Sequence, residues 1–587
     1  MMLLSEKIAR ALHGLCALAL ITSCGSSTGT TGSTSDTDAP QGTASTEERF
    51  QRLAETFYRD HLEALPPLAV GLGFHEYDGK LPDLSRDSVA ARIAMYREAN
   101  QAFAAIPAAE LSARSRVERE VLLTETRSWL FDLDVMTMHE RNPMAYIFGI
   151  GLLGYIAYDY APIEDRARAI IAICNGVGPY LAQGQKNLSE VIPRPWLQIA
   201  MLMTSGMIEF ARNDAAKAMA GLDEPLASEL RTALDTYATA VGGYHEFLKS
   251  RMATASDDFA LGEELFLRML RDKEGVEISL ERLTAIGEAD LQRNLAAAAA
   301  AARTIDPASD PRTVFDAVAG EKPTPDQVLA TATDQSARLR QFLIDRDIVE
   351  IPSPDVAEVR ASPPFMRFNS AFLNSAGLFE KKPLPSFYYI SPPDPSWPEE
   401  QQRAYIPSYG NLFFTSVHEL WPGHFLQHLH KKKNPSKILK TFCAYTNSEG
   451  WAHYTEEMMW LQKSAGDDAR MHMGQLGDAL LRNVRFKSAI ALHTGGATVE
   501  QVKTWFLEQG YQDPGNAMQQ AMRGTFDPGY LNYTLGKLMI MKLHDDWKAR
   551  MGDRYSLRAF HDTFLSYGCA PVPVIRREML GDDSPAL

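Results

Sequence analysis

Basic side chains are the first shortage in this sequence: 59 Lys and Arg stand against 74 Asp and Glu, a net charge of −15 over 587 residues. Binding a phosphate backbone takes a basic face, and the densest basic stretch is only Lys431-Lys432-Lys433. Nucleic acid is therefore excluded as an expected partner. Cysteine is scarce as well, and five in the whole chain do not make a disulfide-dense scaffold. Long apolar runs are missing. The run at residues 15–21 is too short to span a bilayer. The run at residues 146–158 carries three glycines in thirteen residues and predicts a buried core segment. There is no fixed-period repeat. With 45% hydrophobic and 23% charged residues, collagenous, coiled-coil, disordered and multi-span membrane proteins are also excluded.

The N-terminus is informative. Lys7 and Arg10 precede the short apolar run, which ends at Ile21-Thr22-Ser23-Cys24. A basic region, a short apolar region and small residues before a cut site describe an export signal over residues 1–23. The cysteine at the cut resembles a bacterial lipobox, which implies lipidation of Cys24. Residues 24–46 are mostly Ser, Thr, Gly, Ala and Asp, too polar to order themselves, and predict a flexible tether. The expected location is the cell envelope, facing the periplasm or exterior, with the membrane touched only through the lipid anchor. The neighbours of Cys174 and Cys443 are apolar, and buried free thiols are expected at Cys174, Cys443 and Cys569.

Helical spacing of apolar residues begins at Phe50, Leu53, Phe57, Leu62 and Leu65, and Pro66-Pro67 ends it. Amphipathic stretches follow at residues 88–106, 114–131, 164–188, 229–253 and 280–302, the last with seven consecutive alanines. Short β-type runs at residues 348–351, 356–360 and 387–390 sit among many prolines, and helical patterning returns from Leu412. The expected architecture is mainly α: a helical domain over residues 47–350, then a catalytic domain over residues 351–587 with a small antiparallel sheet beside a zincin-like active-site helix pair.

The chemistry begins at His418-Glu419-Leu420-Trp421-Pro422-Gly423-His424. Two neutral imidazoles can bind zinc, and a glutamate beside the first can take a proton from water. In the common HExxH form the histidines are four apart on one helix face. Here they are six apart, which on an unbroken helix turns His424 by about 240°. Pro422-Gly423 resolves the conflict, because the residue before a proline leaves helical geometry and the two extra residues loop out. A rival pairing keeps the metal but uses His424 and His428, at i, i+4, and leaves His418-Glu419 without a role. A catalytic zinc site also needs a third ligand. Glu449, in Ser448-Glu449-Gly450-Trp451-Ala452-His453-Tyr454, lies 25 positions after His424, enough to finish one helix and return on another. A carboxylate in a first helical turn also simply suits the helix dipole. His453, at i+4 from Glu449, is a rival ligand or a supporting partner. Glu456 and Glu457 read as solvated or structural.

The blocks HELWPGH, SEGWAHYTEE and FDPGYLNYTLGKLMIMKL resemble the bacterial family known as domain of unknown function 885, which carries HExxPGH, EGWAxYxE and PGxxxxYxxG blocks. The likeness extends to LAVGLGFHEYDGKLPDLS, ALHTGGATVEQ and HDTFLSYGCAPVP, and so covers nearly the whole body of the chain. That family is grouped with zincin-type metallopeptidases. The resemblance implies His418, His424 and Glu449 as ligands, Glu419 as base, and a helical body with a deep channel and a short edge strand beside the metal. Tyr533 matches the family's tyrosine, a phenol suited to an oxyanion. His493 matches a family histidine and could equally be a helix cap. Arg485 could meet a substrate carboxylate, although a surface arginine is the plainer reading. Two positions depart from the family, which often has an apolar residue at His453 and a histidine at Phe425.

The expected function is a zinc-dependent peptidase-like hydrolase, lipid-anchored and acting on short peptides. The alternative is a catalytically silent lipoprotein that binds peptides or cell-wall fragments. Hydrolysis of a non-peptide amide is a third reading.

Overall fold

The computed structural model describes residues 45–363, 371–393 and 397–587. Cys24, the export signal over residues 1–23 and the tether up to residue 44 lie outside the described residues. Among those described, no helix is long and apolar enough to cross a membrane.

The chain is mainly helical. The body is built by α1 (Thr46–Ala64), α2 (Arg86–Ala104), α3 (Ala113–Leu130), α4 (Ile163–Asn187), α5 (Arg194–Asn213), α6 (Leu226–Arg251), α7 (Glu263–Glu274), α8 (Leu280–Ile305) and α9 (Val328–Asp345). After a small sheet follow α10 (Tyr409–Glu419), α11 (His424–Lys433), α12 (Tyr445–Leu461), α13 (Ala469–Thr494), α14 (Val499–Glu508), α15 (Pro514–Phe526), α16 (Asn532–Met551), α17 (Leu557–Ser566) and α18 (Val572–Leu580). Local chemistry accounts for many of their ends. Ser45 and Glu48 cap α1 reciprocally, at 3.2 and 2.9 Å, so the helix starts just inside the expected tether. Its buried face is Phe50, Ala54, Phe57, Tyr58, His61 and Leu62, and Pro66 opens a new short helix (Pro66–Gly71). The run at residues 146–158 is core, as expected, with Tyr146, Ile147, Ile150, Leu152 and Tyr155 buried around two short helices. One hydrophobic cluster runs from Phe50 to Leu580 and draws on helices from both sides of residue 350.

The sheet has three strands, β1 (Ala357–Ala361), β2 (Ala371–Asn374) and β3 (Ser386–Ile390), in the order β1-β3-β2. β3 is central and buried throughout. It pairs in parallel with β1, from Ala357↔Ser386 to Ala361↔Ile390, and antiparallel with β2, from Ala371↔Ile390 to Asn374↔Phe387. The sheet is mixed, which corrects the expected antiparallel one: β2 lies inside the β1–β3 connection, which is long enough to return in parallel. The expected strand at residues 348–351 does not form. The carbonyl of Ile348 accepts from His561 Nδ1 at 2.8 Å and the amide of Glu350 donates to Asp562 at 2.7 Å, so α17 satisfies backbone groups that a strand would have paired.

Two buried linkages hold the C-terminal helices. Lys537 of α16, fully buried, reaches Asp290 of α8 at 2.9 Å and Glu457 of α12 at 3.2 Å. Arg293 joins the same two carboxylates at 2.7 and 2.6 Å. Cys443 and Cys569 form a disulfide across 126 residues of sequence, which corrects the free thiols expected there. Apolar neighbours report exclusion from water, and pairing depends on a proximity that sequence does not carry. Closing so long a loop is worth on the order of 4–5 kcal/mol in the chain-entropy picture. Cys174 is free and buried, as expected, and burial pushes its thiol up to about 12.

Candidate metal centre

α10 is capped by Ser408, whose Oγ accepts from the Asn411 amide at 3.2 Å, and it delivers His418 and Glu419 at its last turn. The helix then breaks over residues 420–423 and restarts at His424. Two backbone bonds measure the break: Gly423 N donates to Val417 O at 3.0 Å and Leu426 N to Leu420 O at 3.2 Å. Both span six residues where a helix spans four, so two residues are looped out and the helical sense is kept. The imidazoles of His418 and His424 consequently face each other, with centroids 4.7 Å apart and planes at 87°. A side chain at position 423 would put its Cβ 1.8 Å from the His418 carbonyl oxygen, so only glycine closes this loop. Trp451 pins it from α12, donating its indole N–H to the Pro422 carbonyl at 2.9 Å.

Glu449 completes the group. α12 starts at Tyr445, so Glu449 lies beyond the first turn, where a dipole effect has fallen away. Its Oε2 is buried, has no hydrogen bond, and sits 3.4 Å from His418 Nε2 and 3.4 Å from His424 Nε2. The candidate ligand atoms of the three residues lie within 4.8 Å of one another, and no other His/Cys/Asp/Glu group of this kind occurs among the described residues. Burial works against the Glu449 carboxylate, but His424 and His418 outweigh it and hold the group ionised, well below the usual range.

Behind the trio, Glu456 is buried two turns along the same face of α12. Its Oε1 takes His418 Nδ1 at 2.6 Å and Arg482 Nη2 at 3.1 Å, and its Oε2 takes His453 Nδ1 at 3.0 Å. This arrangement keeps a proton on His418 Nδ1 and turns Nε2 toward Glu449. Burial and Arg482 both oppose a charge on His418, yet the Glu449 and Glu456 carboxylates beside its two nitrogens hold its pKa up at about 9, so a metal ion at Nε2 would displace the proton there and leave the one on Nδ1. Burial presses His453 down to about 4, so it is neutral. His453 is thus the partner of Glu456, and neither it nor His428 joins the trio.

Glu419 points to the sheet. Its Oε2 accepts from the backbone N–H of Leu373, on the edge strand β2, at 3.0 Å. Tyr533 lies over the centre, its ring 6.4 Å from that of His418 and nearly parallel at 17°. A close helix crossing puts it there: a Cβ on Gly536 would fall 1.9 Å from Thr446 O, and one on Gly450 would fall 2.5 Å from the Gly536 Cα. Three arginines surround the Tyr533 ring, with Cζ atoms at 5.6 Å for Arg482, 5.0 Å for Arg485 and 5.9 Å for Arg523. Arg485 is buried, against the surface reading. His493 is brought elsewhere. Its Nε2 bonds the Gly524 carbonyl at 2.8 Å, its ring lies against Phe259 and Phe266, and burial lowers it to about 4. These contacts are those of a packed core histidine.

The sequence reading missed two groups. Glu456 is not solvated, and its spacing of seven from Glu449 was the available signal for a shared helix face. The Leu373 amide had no signal, because β2 is too short to show alternation.

Two solved structures share the fold. A protein from Shewanella oneidensis, named as a putative lipoprotein of unknown function, superposes with a TM-score of 0.76 at 22% identity, covering 90% of this chain and 99% of its own. A putative lipoprotein from Colwellia psychrerythraea gives a TM-score of 0.72 at 17% identity, covering 91% of this chain and 99% of its own. Among curated proteins nothing matches. The chain belongs to the DUF885 family of bacterial proteins of unknown function, which it matches over residues 66–579.

Proposed function

We propose that this protein is a zinc-dependent, peptidase-like hydrolase of the cell envelope, held by a lipid on Cys24 and acting on short peptides. The observation that carries the reading is the convergence of His418 Nε2, His424 Nε2 and the unbonded Glu449 Oε2, with the carboxylate of Glu419 adjacent in sequence to the first of them. Two imidazoles and a carboxylate are a common catalytic zinc set, and these three would hold the ion. Zinc, when bound, supplies Lewis acidity that acidifies water and polarises a carbonyl.

The protein's own groups supply the rest. Glu419, held by the Leu373 amide, takes a proton from the attacking water and returns it to the leaving amine. Tyr533, stacked beside His418, donates its phenol hydrogen to the developing oxyanion. Glu456 fixes the tautomer of His418. Export is supported by the disulfide, which persists in oxidising compartments, and by the names of the two structural relatives.

The test is a mixed peptide library incubated with the purified protein and read by mass. The wild type should cleave, a chelator should abolish cleavage, and added zinc should restore it. Glu419→Gln should keep fold and zinc and lose about 10² to 10⁴ in rate. A wild type that binds zinc and cleaves no better than Glu419→Gln overturns the hydrolase and leaves a peptide-binding lipoprotein.

A further inference from the structure

The arginines around Tyr533 differ in their partners. Arg482 is matched by Glu456 at 3.1 Å and Asp478 at 3.9 Å. Arg523 is matched by Asp527 at 2.8 Å and also meets the Tyr445 hydroxyl at 2.9 Å. Arg485, only 8% exposed, has no carboxylate partner among the described residues: its Nε donates to the neutral Gln520 Oε1 at 2.9 Å. Gln520 is itself oriented by donating to Asn516 at 3.1 Å, so the amide oxygen is presented to the guanidinium and fixes its plane. One edge of Arg485 is held, and among the described residues its two terminal nitrogens carry no ion pair. Burial and the neighbouring Arg523 both work against its charge, and Tyr533 works in its favour. A buried, unmatched guanidinium is costly, and a planar fork fits a carboxylate with two parallel hydrogen bonds.

Tyr533 lies between Arg485 and the centre. The Tyr533 ring touches both sides, with His418 at 6.4 Å and Arg485 at 5.0 Å from its centroid. These contacts put Arg485 within about 11 Å of the His418 ring, and an extended peptide, advancing roughly 3.3–3.6 Å per residue, covers that in up to about three residues.

We infer that Arg485 receives a carboxylate of the substrate, within about three residues of the bond addressed by the His418–His424–Glu449 centre. The inference rests on the hydrolase reading and makes the preferred substrates peptides with an anionic group close to the scissile bond. A C-terminal carboxylate and an acidic side chain share this chemistry.

Binding separates the inference from catalysis. Calorimetry on the zinc-loaded Glu419→Gln protein compares three alanine-based tetrapeptides: a free acid, its C-terminal amide, and an amide with aspartate as the last residue. The free acid should bind at least tenfold tighter than the plain amide. Recovery of affinity by the aspartyl amide assigns a side-chain carboxylate as an acceptable source; no recovery assigns the terminal one. Arg485→Gln should erase the preference, and Arg485→Lys should keep part of it, with unchanged circular dichroism in both. Equal binding of acid and amide, a preference that survives Arg485→Gln, or no binding of any peptide at millimolar concentration overturns the inference. Failure of the wild type to hydrolyse peptides, with the preference intact, overturns the hydrolase reading alone.

Discussion

Replacing Glu456 by glutamine changes the support of the centre while keeping its shape. The carboxylate accepts from His418 at 2.6 Å, His453 at 3.0 Å and Arg482 at 3.1 Å. An amide has one accepting oxygen, so one of the two imidazoles loses its acceptor, and the carboxylate left to Arg482 is that of Asp478, at 3.9 Å. His418 is then free to carry its proton on Nε2, the nitrogen that faces Glu449, where it competes with a metal ion. Losing this kind of support costs about 10 to 100-fold in metal affinity, or roughly 1.4–2.7 kcal/mol. The assay is the zinc dissociation constant of wild type and Glu456→Gln near neutral pH, by competition with a chelator of known affinity. Circular dichroism verifies the fold. Glu456→Ala, which removes both oxygens, should lie at or beyond the upper end of the range. A folded Glu456→Gln protein that binds zinc within twofold of wild type would refute the reasoning, because His418 would then need no carboxylate behind it.

Two further outcomes follow from packing and charge. Gly536→Ala puts a Cβ 1.9 Å from Thr446 O and drives α12 from α16, so the thermal midpoint should fall by the equivalent of about 1–3 kcal/mol and peptide turnover should fall by about 10²-fold as Tyr533 shifts; a variant with native midpoint and turnover contradicts this. Lys537 and Arg293 hold Asp290 and Glu457 below their ordinary pKa against burial, so their stabilisation is full above the unfolded carboxylate range, near pH 4, and is lost as pH falls through the folded values. Thermal midpoints should therefore drop steeply below about pH 4. Lys537→Met should destabilise by about 3–5 kcal/mol at neutral pH and make that drop shallower; an unchanged pH profile counts against the network.

Much of the body was legible because helices of this length carry their own signal. The stretch expected at residues 164–188 is Ile163–Asn187, and that expected at 280–302 is Leu280–Ile305, since apolar spacing and caps are local properties. The looping of Trp421-Pro422-Gly423 was legible for the same reason: proline and glycine state their backbone restrictions in place. The sheet was not. Four residues of β2 show no alternation, and whether β1 runs with or against β3 is settled by the path of the chain between them. His493 misled because a helix-terminal histidine reads alike whether it faces a site or, as here, Phe266 and a carbonyl. Glu456 was read only as solvated or structural, and its place behind His418 follows from its register on α12, which its residue type does not show.

The six-residue hydrogen bonds at Val417 and Leu420 do more than conserve direction. In an unbroken helix a pair of histidines sits mid-cylinder, where the positive end of each backbone dipole meets the negative end of the next and only the distant termini carry a pole. Here the segment is cut between its histidines, so α10 ends at Glu419 with its carbonyl pole and α11 begins at His424 with its amide pole. One pole favours a cation and the other an anion, each by about 0.3–1 kcal/mol at such termini. The two inserted residues thus give the centre a small built-in field, oriented along the chain from His418 to His424, that a four-residue spacing does not provide.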